Sequence, residues 1–319
     1  MIGQKLAADL AVNGLNGDRD IAVTLFDMRF APDGATGHRI TGDLTVDGTM
    51  AQLVADRPDV IFHLASVVSG EAEQDYAKGW AVNMLPHWEL VEALRKLHEA
   101  SGGHYVPRVV FTSSIAVFGG PYGDKIGDEF LSAPQSSYGA QKAVCELMLS
   151  DASRKGYIDG ISLRLPTICV RPGKPNKAAS GFFSGIIREP LNGQQAILPV
   201  DDTVRHWHAS PRSAVGFLTH AAGLDTDRLE GRRALNLPGF SCTVAEQIEA
   251  LRRVAGNDAV ALIQRRADPD IIRIVSKWPR NFAPTRALAL GFRSEADFDA
   301  IIQVYIDDDL PRGGTERKD

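Results

Sequence analysis

Short, nearly all-apolar runs alternate along this chain with segments of helical periodicity, and that alternation constrains its fold most. Residues 21–27 (IAVTLFD), 60–66 (VIFHLAS), 108–114 (RVVFTSS) and 161–166 (ISLRLP) are apolar or small almost throughout. A strand with one wet face alternates apolar and polar positions, so runs without that alternation are covered on both faces. Residues 38–44 (HRITGDL) and 233–238 (RALNLP) read as two further short strands. Residues 45–56, 80–99 and 138–154 read as helices between them. Strand and helix in turn imply parallel pairing with crossover helices on both faces. The expected fold class is α/β, a doubly wound parallel sheet.

The chain opens inside a helix. Ile2, Leu6, Leu10 and Ala11 recur at helical spacing with no strand or cap before them. After residue 166 the rhythm fades, and residues 167–230 carry many Gly, Pro and Asn. They are expected to form a smaller, irregular region over the carboxyl ends of the strands, where open α/β sheets bind ligands. The expected organisation is a sheet domain over 1–166 and a substrate region over 167–310. Residues 233–238 return to the sheet, and 311–319 form a disordered tail.

Composition excludes several classes. Lys and Arg number 35 against 40 Asp and Glu, a net charge of −5. That balance argues against a nucleic-acid partner or an anionic membrane surface. Cys145, Cys169 and Cys242 have no metal-ligand spacing and cannot all pair. No apolar run reaches the roughly 18 residues of a membrane helix. The first residues lack the apolar core of a secretion signal. A soluble cytoplasmic protein is expected.

The sharpest chemical signal is Tyr138-Gly-Ala-Gln-Lys142, which sets a phenol and an ammonium on one helix face at i and i+4. A nearby ammonium favours phenolate, and a phenolate can take the proton of a substrate hydroxyl. Alone, the pair also fits two surface residues. Ser114 closes the strand in FTSSIAVFGG, at the carboxyl end of the sheet, either to bond a reacting oxygen or to cap a turn.

Ser114, Tyr138 and Lys142 in this order resemble the extended branch of the short-chain dehydrogenase/reductase superfamily, which includes sugar-nucleotide epimerases and dehydratases. The resemblance implies a Rossmann-like, NAD-binding domain over 1–166. Asp27 closes its strand about two dozen residues after Gly3, where an acid bonds the adenosine ribose and favours NAD; Arg29 keeps NADP open. Asp43 and Leu44 resemble the pair beside the adenine. His63-Leu64-Ala65-Ser66 resembles the segment beside the cofactor phosphates and ribose. Asn83 resembles a structural asparagine of the branch, and Leu165 and Thr167 the segment beside the nicotinamide. Cofactor contacts are therefore expected at Gly3, Asp27, Asp43, Leu44, Leu64, Ala65, Ser66, Asn83, Tyr138, Lys142, Leu165 and Thr167.

One departure stands out. The branch reads G-x-x-G-x-x-G between its first strand and first helix, and MIG supplies only the last glycine, Gly3. The resemblance implies that Met1 is internal to a longer natural chain whose first strand precedes it.

Longer stretches, among them RPGKPN and SGIIREPL, narrow the resemblance to a D-erythronate-oxidising group. It implies NAD-dependent oxidation of the C2 hydroxyl of a four-carbon sugar acid, and a homodimer built on the helices near 80–99 and 138–154. The carboxylate of such a substrate calls for Arg. Arg171, Arg188 and Arg205 all lie in the irregular region, and Ser69 and Gly70 lie in the loop after Ser66. These, with Ser114, are the expected substrate contacts. His206 and His208 have no third ligand nearby, so no metal is expected, and Trp207 between them reads as core. A sugar-nucleotide epimerase or dehydratase, another short hydroxy-acid dehydrogenase, and a non-catalytic NAD-sensing protein remain alternatives.

Overall fold

Strands form where β-branched and apolar residues run together, and the longest of them build the sheet. The computed structural model describes residues 1–30, 37–173 and 178–311. Its central sheet has four parallel strands in the order Ala234–Asn236, Asp159–Leu165, Arg108–Ser114, Val60–His63. Thr24–Asp27 and His38–Thr41 make a separate parallel pair. Among the described residues, Thr24–Asp27 and Val60–His63 each have a strand partner on one side only.

Successive side chains of a strand point to opposite faces, so Arg108–Ser114 feeds two cores. Val110 joins Leu6, Leu10 and Leu218, from the helices Ile2–Asn13 and Pro211–Gly223. Val109 and Phe111 join Leu90, Leu94 and Leu149, from the helices Leu85–Ala100 and Ser137–Arg154. Burying each such side chain contributes about 1.5–3 kcal/mol. The α/β doubly wound reading holds.

The expected helix over 80–99 divides into Tyr76–Asn83 and Leu85–Ala100. Pro86 lacks an N–H and suits only a first turn, so one helix ends before it and another begins. The expected helix over 45–56 shrinks to Thr49–Leu53. Ser69 and Gly70, expected in a loop, begin the short helix Ser69–Gln74. Its Ala72 is fully buried and lies against Gly79, and that packing outweighs the turn-like composition.

Residues 167–230 are more regular than their composition suggests. They hold the helices Gly181–Leu191 and Pro211–Gly223 and the strand Arg205–Ala209. The reason is positional: Pro211 and Gly223 punctuate helix ends, and Pro190 falls in a last turn. The chain also crosses back over the expected boundary at 166. Pro211–Gly223 and residues 287–292 share the sheet's core, and Ala234–Asn236 extends the sheet as expected. A second core of Phe183, Ile186, Ile187, Leu251, Ile301 and Ile302 lies beyond it. The tail at 312–319 and the part of RPGKPN at 174–177 lie outside the described residues. Among those described, no helix is long and apolar enough to cross a membrane.

Candidate active site

The Ser137–Arg154 helix starts close to the end of the Arg108–Ser114 strand, and one glycine sets how close. A Cβ on Gly139 would stand 2.1 Å from the carbonyl oxygen of Ala116, so only glycine permits this approach. Ser136 caps the helix by accepting the N–H of Gly139 at 3.2 Å. Tyr138 is thereby placed in the first turn of the helix, against the turn that follows Ser114.

Ser114 caps the turn Ile115–Val117, accepting the Ala116 N–H at 3.1 Å. Because Ser114 accepts from the backbone, its own O–H remains free to donate. Lys142 lies one turn after Tyr138, almost wholly buried, with Nζ donating to the carbonyl of Thr112 at 2.8 Å. The ammonium stands 4.7 Å from the Phe111 ring centroid and 5.6 Å from that of Tyr138.

Burial raises the Tyr138 pKa above its usual value, and hydrogen bonds from Ser66 and Ser114 and the charge of Arg171 oppose that rise. Burial also draws the Lys142 ammonium down to about 8. The two effects share a cause, since a charge without water or a full set of partners is disfavoured.

The three candidate arginines separate clearly. Arg171 faces Tyr138 electrostatically and donates to Ser180 Oγ at 3.0 Å. Arg188 is buried, donating to the carbonyl of Arg171 at 2.7 Å and pairing with Glu189, so it supports Arg171 from behind. Arg205 is committed to the carbonyl of Ser241 at 3.0 Å and to Glu246 at 3.1 Å. Its partners belong to the Phe240–Thr243 strand and the helix after it, so it is not joined to the Tyr138 group as Arg171 is.

The expected cofactor residues form a second group. Gly3 lies in the first turn of Ile2–Asn13, a helix start with no side-chain cap, and a Cβ there would touch Leu64 at 3.6 Å. Uncapped N–H groups at a helix start suit a phosphate. Ala65 is exposed beside Leu64. Asp27 is exposed at the end of its strand and accepts the Arg29 N–H at 3.2 Å. Asp43 accepts from the N–H and hydroxyl of Thr45 at 2.9 and 2.8 Å, bonds that hold its carboxyl below the usual range. Leu44 leans on the core beside it. An uncapped helix start with an exposed carboxylate at the neighbouring strand end fits a dinucleotide.

Asn83 is buried and makes internal bonds only. Its Oδ1 accepts from Val67 N at 2.8 Å and Ser66 Oγ at 2.9 Å, and its Nδ2 donates to Gln141 Oε1 at 2.7 Å. It ties the Ser66 loop to the Tyr138 helix. Leu165 stands in register with Ser114 on the adjacent strand. The Thr167 hydroxyl bonds His206 at 2.7 Å. His206 also bonds the Pro279 carbonyl and His208 bonds Gln247, while Trp207 packs with Val117 and Phe282.

Sequence reasoning missed the role of Gly139. A glycine inside a helical pattern, which weakens a helix by about 1 kcal/mol relative to Ala, was the available signal. It also missed the buried ion pair of Glu146 with Arg164, which with the short Ser113–Glu146 bond stitches the Tyr138 helix to two strands.

The chain is similar to several known proteins. The chain is 48% identical over 289 residues to the D-erythronate dehydrogenase of Cupriavidus necator, covering 90% of this chain and 87% of that one. It is 44% identical over 259 residues to the D-erythronate dehydrogenase of Haemophilus influenzae, covering 81% and 80%. The crystal structure of the nucleoside-diphosphate-sugar epimerase from Agrobacterium tumefaciens superposes with a TM-score of 0.92 at 54% identity, over 97% of this chain and 91% of that one. Residues 1–209, which hold three of the four strands of the central sheet and Ser114, Tyr138 and Lys142, match the profile of one family, and the chain belongs to the NAD dependent epimerase/dehydratase family.

Proposed function

We propose that this chain is an NAD-dependent dehydrogenase that oxidises the C2 hydroxyl of a four-carbon sugar acid, D-erythronate, to the 2-oxo acid. The observation that carries the reading is the start of the Tyr138 helix packed against the turn after Ser114, with the Lys142 ammonium 5.6 Å from the Tyr138 ring centroid. The relatives' names supply the substrate class.

NAD, when bound, supplies the hydride acceptor. Gly3, Leu64, Ala65 and the helix start would hold its phosphates. Asp27 would hold the adenosine ribose, Asp43 and Leu44 would flank the adenine, and Leu165 and Thr167 would line the nicotinamide side. Tyr138, as phenolate, takes the C2 hydroxyl proton at its oxygen. Ser114 donates to the substrate oxygen and fixes its direction. Lys142, anchored on Thr112, holds positive charge near the Tyr138 ring. Arg171 pairs with the substrate carboxylate, and Ser69 and Gly70 line the substrate side. Leu85, Trp88 and Leu147 are exposed on the two helices expected to face a second copy, so the working form is a homodimer. Its three free cysteines suit the reducing cytoplasm.

A second reading rests on the 54% identity to a protein described as a nucleoside-diphosphate-sugar epimerase. Such an enzyme recycles its cofactor and releases no net NADH. Incubation with NAD and D-erythronate, and separately with UDP-sugars, distinguishes the two by NADH absorbance. Steady NADH accumulation with the sugar acid is expected. Conversion of a UDP-sugar without NADH overturns the dehydrogenase reading.

A further inference from the structure

Three contacts in succession bind the Tyr138 helix to the end of the Arg108–Ser114 strand. Gly139 meets the turn at Ala116, Lys142 Nζ donates to the Thr112 carbonyl at 2.8 Å, and the Ser113 hydroxyl donates to Glu146 Oε1. Tyr138, Lys142 and Glu146 follow one another at i, i+4 and i+8, so they share one side of the helix. The first two contacts hold groups that the reading above uses. The third has no part in it.

Glu146 is buried, and the sheet sets its partners. Ser113 and Arg164 stand opposite each other on neighbouring strands, so both side chains rise from one face. Glu146 lands on the two of them. Its Oε1 accepts Arg164 Nε at 2.9 Å and its Oε2 accepts Arg164 Nη2 at 2.7 Å, besides the Ser113 hydroxyl. Arg164 is itself fixed. Nη1 donates to Asn236 Oδ1 at 3.3 Å, Nη2 donates to Ser132 Oγ at 3.1 Å, and the guanidinium lies 4.9 Å from the Phe118 ring centroid. A carboxylate gripped in an arginine fork has a defined direction as well as a defined place. Ser113 is tied to that fixed point. It stands between Thr112, whose carbonyl anchors Lys142, and Ser114, the last residue of its strand. Past Ser114 the chain leaves the sheet for the turn Ile115–Val117, so the Ser113 hydroxyl is the side-chain tie next to the strand's end.

We propose that Glu146 is a positioning residue of this reaction. By holding the Ser113 hydroxyl, it sets Ser114 and the Thr112 carbonyl against the helix that carries Tyr138 and Lys142. The proposal rests on Tyr138 and Ser114 acting as the reading above assigns. No bond is made or broken at Ser113 or Glu146, and both act only through their neighbours.

The test separates placement from mere stability. Ser113→Ala removes the tie and leaves the Glu146–Arg164 pair whole. A reacting group misplaced by an ångström costs about 10²-fold, and loss of one tie among three shifts it less. Ser113→Ala is therefore expected to lower kcat by about tenfold, with KM for NAD, KM for D-erythronate and Tm nearly constant. Ser113→Thr, which keeps the hydroxyl, is expected to recover most of kcat. Glu146→Asp keeps the charge but draws the carboxylate back by one methylene, and should cost about as much as Ser113→Ala. The two losses should not add in the double variant, because both break one tie. A fall in Tm with kcat retained makes the tie structural only and overturns the proposal, as do two losses that add. Should Ser113→Ala fail to fold, Ser113→Cys, similar in size and a weak donor, makes the same comparison, and a full kcat there overturns the proposal. Full turnover in Tyr138→Phe is a separate result that removes the base assignment itself.

Discussion

At the scale of single residues the site is a contest between burial and partners at Tyr138. Burial favours the neutral phenol, while two hydroxyls and Arg171 favour the phenolate. A base whose pKa is raised works better as pH rises, so kcat is expected to climb on the alkaline side of neutrality. Tyr138→Phe removes the oxygen proposed to take the proton. It is expected to lower kcat by about 10²–10⁴-fold while leaving NAD affinity, measured by fluorescence titration, nearly intact. Arg171→Leu should act differently, raising KM for the sugar acid by tens of fold or more with a smaller change in kcat. An unchanged KM in that variant would remove the carboxylate role. The Tyr138–Lys142 pair and Ser114 were legible in the sequence because their chemistry is carried by a fixed short spacing and by a strand end. Arg171 was not, because Arg171, Arg188 and Arg205 look alike until their partners are seen. Two of them are committed to backbone carbonyls and carboxylates.

At the scale of elements the decisive contact is between the start of the Tyr138 helix and the turn after Ser114. Gly139 is the point of closest approach, and the atom it meets is backbone, which cannot rotate away. Gly139→Ala is therefore expected to push Tyr138 from Ser114 by a fraction of an ångström to about an ångström. A misplacement of that size lowers turnover by about 10²-fold. The same variant raises intrinsic helix propensity by about 1 kcal/mol, which opposes the steric loss. The expected signature is thus a large fall in kcat with a modest change in Tm, and a fall in Tm with kcat retained would contradict it. Periodicity predicted this helix to within one residue at its start, because its buried positions recur every third or fourth residue along 18 residues. It failed at the helix over 80–99 and at Ser69, where Pro86 and the burial of Ala72 decided the outcome. Those are a backbone restriction and a tertiary contact, and neither leaves a periodic trace.

At the scale of the whole molecule, four histidines are enclosed in its cores. His63 and His87 lie under the sheet against Phe111, and His206 and His208 lie where the Arg205–Ala209 strand meets the second core. Burial holds all four below the usual imidazole range, His63 to about 3 and His206 to about 4. In the unfolded chain each protonates near 6.5. Between 6.5 and about 4, then, the unfolded state binds protons that the folded state does not, so stability falls as pH falls. It is fully present above 6.5. Each histidine contributes a slope approaching 1.4 kcal/mol per pH unit once pH is well below 6.5. Carboxylates in ion pairs, such as Asp159 between Arg108 and Arg233, add to the loss only at lower pH, because their unfolded pKa values lie near 4. Urea unfolding at pH 7.5, 6.0 and 5.0 is expected to show a steep drop in midpoint across this window. His87→Gln, which cannot titrate, should flatten the slope by about one proton. An unaltered slope in that variant would mean that His87 is already charged in the folded protein, and that the core around Phe111 admits water.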